Sequence, residues 1–102
     1  MAYVKVAAIS EIALGQAKQI KIGGKTLALF NVDGVFHAID DTCPHRGASL
    51  SEGELEGNQV VCPWHAAAFD VTCGARLSPP ARSDVASYKV QIVGEEIQVD
   101  IG

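Results

Sequence analysis

Gln19-Ile20-Lys21-Ile22-Gly23-Gly24-Lys25-Thr26-Leu27-Ala28-Leu29 is the stretch on which the fold class turns. Ile20 and Ile22 alternate with Gln19 and Lys21, the period of two expected of a strand with one buried face. Gly23-Gly24 accepts positive φ at both turn positions and predicts a tight hairpin into Leu27 and Leu29. The same pattern extends in both directions. Upstream, Val4 and Val6 alternate with Tyr3 and Lys5 in a first strand. Downstream, Asp33-Gly34 is a second hairpin signal, with Val35 to Ile39 as the returning strand. Near the end, Tyr88 to Val93, Gly94-Glu95 and Ile97 to Ile101 read as a third hairpin. No segment carries a sustained helical stripe; Glu11-Ile12-Ala13-Leu14 is expected to form one turn, ended by Gly15. The fold class is all-β, a small antiparallel β-sandwich or barrel.

Residues 41 to 83 interrupt this scaffold. The stretch is rich in Gly, Pro, Cys and His, with room for short strands near Val60-Val61 and Ala68-Phe69. Long irregular stretches inside compact domains are usually functional, so the strands read as a frame and the insertion as the site. A chain of 102 residues with 48% hydrophobic residues makes one domain with one core. Its net charge of −4 argues against a nucleic-acid partner, which favours a basic surface. Met1-Ala2-Tyr3-Val4-Lys5 does not open a secretory signal, and the apolar runs are far short of a membrane span. Three cysteines, Cys43, Cys62 and Cys73, cannot complete a disulfide framework, so a reducing, cytoplasmic setting is expected.

The insertion holds two cysteine–histidine pairs, Cys43-Pro44-His45 and Cys62-Pro63-Trp64-His65. Each pair places a thiolate and an imidazole on one short loop, and the prolines stiffen the backbone there. Two such loops side by side supply two sulfur and two nitrogen ligands, the set a Rieske centre needs. Zinc accepts the same ligands, so a structural zinc site in an interaction module is the competing reading; zinc modules, however, more often begin with two cysteines spaced by two to four residues. The remaining candidates read more plainly. Cys73 is packed or idle rather than a ligand, and His37 alternates with Val35 and Ile39 as a structural, half-exposed strand residue. Glu52, Glu54 and Glu56 form an acidic, solvated loop between the pairs. Trp64 shields the site or fills the core beside it, and Arg46 follows a ligand with its role open.

Cys43-Pro44-His45-Arg46-Gly47-Ala48-Ser49-Leu50 and Cys62-Pro63-Trp64-His65 resemble the two cluster-binding boxes of Rieske proteins, above all the ferredoxin components of bacterial aromatic-ring dioxygenase systems. The resemblance covers nearly the whole chain and includes Gly53, Phe69-Asp70, Gly74 and Pro79-Pro80. It implies a Rieske-like fold with an inserted cluster-binding subdomain at about residues 41–83 of a single domain spanning 1–102. It implies a [2Fe–2S] cluster with Cys43 and Cys62 on the buried iron, His45 and His65 on the outer iron, and Pro79-Pro80 in a loop over the cluster. Where the family usually has Gly after the second histidine, this chain has Ala66.

The function so implied is electron transfer from a flavin-dependent reductase to a terminal oxygenase. Both partners would be transient, the protein a soluble monomer without a catalytic site of its own. Of three histidines the boxes use two, leaving only His37, too few for a mononuclear two-His, one-carboxylate iron site. The chain is therefore not the oxygenase subunit. A Rieske-like small subunit of a larger oxidoreductase, such as assimilatory nitrite reductase, is the alternative within the family. High-potential members usually carry Ser and Tyr where this chain has Ala67 and Phe69, and join their loops by a disulfide where it has Ala48 and Trp64. The resemblance therefore implies a low potential.

Overall fold

The computed structural model describes residues 3–42, 49–61, 68–75, 77 and 85–101. Three antiparallel sheets account for them. β1 (Tyr3–Ala8), β9 (Val90–Val93) and β10 (Glu96–Asp100) form one sheet in the order β1-β10-β9. β2 (Ala17–Ile22), β3 (Lys25–Val32), β4 (Val35–Asp40) and β8 (Ser87–Tyr88) form the second, in that order. β5 (Glu54–Glu56), β6 (Gln59–Val61) and β7 (Ala68–Asp70) form a third, smaller sheet. Among the described residues no helix is long and apolar enough to cross a membrane.

The β2–β3–β4 sheet lies between two apolar clusters, and β3 explains how. Its even positions Ala28, Phe30 and Val32 pack with Ile39, Leu50, Val60, Phe69, Val71 and Val85. Its odd positions Leu27 and Leu29 pack with Ala7, Ile12, Ile20, Ala38, Ile97 and Val99. Successive side chains leave a strand on opposite faces, so one face meets the small sheet and the other the β1–β10 sheet. The unbroken run Leu27-Ala28-Leu29-Phe30 is the mark of a strand buried on both sides.

The hairpins fall where glycine allows them. Ile22 pairs with Lys25 across Gly23 (φ 55°) and Gly24 (φ 77°), and Val32 pairs with Val35 across Asp33 (φ 52°) and Gly34 (φ 90°). Two expectations need correction. The helical turn expected over 11–14 is instead a 3-10 turn at Ile9–Glu11, and Gly15 (φ 75°) belongs to a separate turn closed by the Gln16 N–H donating to Ala13 O at 3.0 Å. Glu11 reaches back to accept the Ala8 N–H at 2.7 Å, while Ile12 is extended and buried in the core. The following backbone is tied to β3 instead, with the Gly15 N–H donating to Asn31 O and the Asn31 N–H to Gln16 O. Tyr88 to Val93 is not one strand either. Ser87 and Tyr88 pair with Ile39 and Ala38, whereas Val90–Val93 pairs with β10. Lys89 is the corner, its carbonyl accepting from the Asp100 N–H, and the chain switches sheets there.

Candidate metal centre

The sequence between β4 and β8 returns to the strand it left, and the described residues show what stands at its base. The candidate ligands Cys43, His45, Cys62 and His65 lie outside the described residues, as do Arg46, Gly47, Ala48, Trp64, Ala66, Ala67 and Pro79-Pro80. Their anchors are described. Residues 43–48 connect Thr42 to Ser49, which pair with each other in an isolated antiparallel bridge. Residues 62–67 connect Val61 to Ala68, the last antiparallel pair of β6 and β7. The candidate ligands of each box thus fall between two paired backbone positions.

The described residues next to the two candidate ligand pairs share one apolar cluster, in which Leu50, Val60 and Phe69 pack together, each fully buried. Gly53 brings the flanking backbones close together. A Cβ at Gly53 would sit 2.1 Å from Val61 O, so only glycine lets the strand after the first box lie against the residue that precedes Cys62. Gly74, with φ +80°, plays the matching part for the third segment. A Cβ there would lie 2.1 Å from Val85 O, and the Val85 N–H donates to Gly74 O at 2.9 Å. The Leu77 N–H donates to Ala68 O at 2.7 Å, so the stretch leading toward Pro79-Pro80 leaves from the base of the second box.

Two consecutive aspartates at the end of β4 hold the outgoing and returning chain. Asp40 anchors the return. Its N–H donates to Ala86 O at 2.9 Å, and its carboxylate accepts the Tyr88 hydroxyl at 2.6 Å. Burial, then the hydrogen bond and the nearby charge of Asp40, push the Tyr88 hydroxyl up to about 12. Asp41 points to the other face and is 1% exposed. Its Oδ2 accepts from Gln19 Nε2 at 2.7 Å and its Oδ1 from the Ser51 N–H at 2.8 Å. Its own N–H donates to Thr26 O, and its carbonyl accepts the Leu50 N–H at 2.6 Å.

The acidic loop proves to be more ordered than expected. Glu52 ends a 3-10 turn over Leu50–Glu52, and Glu54 and Glu56 lie on β5, exposed on either side of the half-buried Leu55. The Glu54-Leu55-Glu56 alternation followed by Gly57-Asn58 was the signal for this strand. His37 is half-buried; burial pulls its pKa below the ordinary histidine value, opposed by the charge of Asp70. Cys73 is exposed, so of the two expectations for it packing is excluded. Asp70 caps the turn before it, accepting from the Thr72 N–H at 2.8 Å and hydroxyl at 2.6 Å, and these bonds hold its carboxyl below the usual range.

A family model for the Rieske [2Fe-2S] domain matches residues 2–89. This chain belongs to the Rieske [2Fe–2S] family. It is 35% identical over 99 residues to the ferredoxin component of a naphthalene 1,2-dioxygenase system from Pseudomonas aeruginosa, covering 97% of this chain and 95% of that one. It is 40% identical over 94 residues to a 3-phenylpropionate/cinnamic acid dioxygenase ferredoxin subunit from Shigella boydii, covering 91% and 88%. Among solved structures it superposes on a chain of the complex of reduced oxygenase and oxidised ferredoxin in carbazole 1,9a-dioxygenase. The TM-score there is 0.89 at 36% identity, with 95% of this chain and 91% of that one covered. The cofactor of this Rieske protein is a [2Fe–2S] cluster, which displaces the zinc reading, and the protein is an electron carrier. Cys43, His45, Cys62 and His65 offer two thiols and two imidazoles, a donor set of the kind the cluster takes.

Proposed function

We propose that this Rieske protein passes electrons from a flavin-dependent reductase to a terminal oxygenase, with Cys43 and Cys62 on one iron and His45 and His65 on the other. What supports the ligand assignment is the pair of cysteine–histidine motifs, each flanked by a paired backbone position on either side, Thr42–Ser49 and Val61–Ala68, beside one apolar cluster. The partner class follows from the ferredoxin relatives and from the oxygenase–ferredoxin complex that the fold matches. The cluster supplies one-electron chemistry, and two neutral imidazoles leave its oxidised form near zero formal charge, easier to reduce than a four-thiolate cluster. The chain acts as a single domain whose cluster-binding insertion covers about residues 41–83, as a soluble cytoplasmic monomer that meets both partners transiently.

The test is ligand replacement. Cys62→Ser is expected to lose the Rieske EPR signal and its bound iron and sulfide, whereas Cys73→Ser, outside both boxes, keeps them. An intact signal in Cys62→Ser would reject the ligand set. Reconstitution with a reductase and an oxygenase should then show electron flow only with loaded protein, and a stable complex with either partner on gel filtration would reject the shuttle in favour of a permanent small subunit.

A further inference from the structure

Asp41 is a charged side chain with almost no access to water, and such groups are costly unless every lone pair is used. Closing a loop does not require a carboxylate; one serine or asparagine hydrogen bond serves in most turns. Asp41 instead joins four places. It meets Gln19 on β2, Thr26 on β3, and Leu50 and Ser51 at the end of the first box. Gln19 Nε2 also lies 3.3 Å from Ser49 Oγ, so the same amide touches both the carboxylate and the residue that closes the box. The donors to the two carboxyl oxygens are N–H groups, which cannot accept, so both oxygens act as acceptors. Asp41 lies two residues before Cys43, a chain distance of at most about 7 Å.

We infer that Asp41, braced by Gln19, is a positioning residue for the cluster, fixing both ends of segment 43–48 against the central sheet and placing a buried negative charge beside the redox centre. The inference rests on the reading of Cys43 and His45 as ligands. Its two parts separate by chemistry. The position of the box depends on the hydrogen bonds. The ease of reduction depends on the charge, because a fixed negative charge opposes the arrival of an electron, and more strongly where water is excluded.

Asp41→Asn keeps the shape and removes the charge, and Gln19 can turn its amide over to restore a pairing. Asp41→Ala removes both. Gln19→Leu leaves the charge and the Ser51 bond but cuts the tie to β2. The experiment is EPR and direct electrochemistry on the cluster-loaded fraction of each variant, with thermal denaturation alongside. Expected are an upward shift of midpoint potential with a near wild-type EPR spectrum in Asp41→Asn, and shifted g values in Gln19→Leu and Asp41→Ala. If Asp41→Ala yields no loaded protein, the other two decide in the same way. Wild-type g values and potential in Asp41→Asn and Gln19→Leu, with only the melting temperature lowered, would make Asp41 a structural residue and overturn the inference while leaving the ligand reading intact. Wild-type protein without a Rieske spectrum would overturn both.

Discussion

At the scale of single residues, glycine carries more of the site than its lack of chemistry suggests. Gly53 and Gly74 each face a carbonyl oxygen at a distance no side chain accepts. Gly53→Ala is expected to cost about 1–3 kcal/mol, the usual range for overpacking. Gly74→Ala should cost more, because it adds left-handed backbone strain to the same clash. Thermal denaturation of the two variants checks the order; a smaller loss for Gly74→Ala would contradict it. His37 sets a pH dependence whose sign follows from its burial. Its folded pKa is depressed, so the unfolded chain takes up a proton first as pH falls. Stability from this group is full above the ordinary histidine value and declines as pH drops from there through the depressed one. His37→Gln should flatten that decline in denaturant midpoints measured across it. The two glycines were visible in the sequence only as family positions. Their reason, a carbonyl from a distant strand, depends on long-range packing that no local pattern encodes.

At the scale of elements, period-two alternation located β1, β2, β4 and the β9–β10 hairpin, and Gly-Gly and Asp-Gly located the turns. The split at Lys89 was hidden, since an apolar-alternating run looks the same whether it serves one sheet or crosses between two. β5 was hidden for another reason. Its glutamates suggested a solvated loop, although Leu55 between them packs against the core. The paired cysteines and histidines stood out as candidate ligands by their spacing, while no local pattern marks Asp40 and Asp41 as anchors of the returning and outgoing chain. Their anchoring can be measured. Tyr88→Phe removes the 2.6 Å bond to Asp40 and is expected to cost about 1 kcal/mol. The raised Tyr88 pKa means that its stabilisation is complete below the unfolded value near 10 and lost as pH rises through about 12. Tyr88→Phe should therefore remove the late phase of the ultraviolet tyrosine titration.

At the scale of the whole molecule, charge and potential decide how the protein meets its partners. Glu52, Glu54 and Glu56 are all exposed, on the elements that follow the first box. Neutralising the three is expected to slow electron transfer at low salt and to reduce its salt dependence, since charged rims act on association rate. Stopped-flow rates equal to wild type at every ionic strength would reject this. The potential should fall toward the low end of the Rieske range of about −150 to +300 mV, because neither Ala67 nor Phe69 offers a hydroxyl. Phe69 is fully buried among Leu50, Val60 and Val71. Phe69→Tyr would therefore raise the potential only if its hydroxyl finds a sulfur, and would otherwise leave a buried polar group unsatisfied. Voltammetry paired with denaturation separates the two outcomes.

The strands β5, β6 and β7 have three residues each, too short to stand alone, and they hold their place through Leu55, Val60 and Phe69 against the central sheet. A layer held this way is expected to open at a lower free energy than the ladder of β2, β3 and β4, and cluster insertion would then need only that sub-global opening of the fold. Native-state hydrogen exchange should show it. In apoprotein the Val60 amide is expected to exchange through a low-energy opening, the Leu27–Phe30 amides only through global unfolding, and loading the cluster should bring the first toward the second.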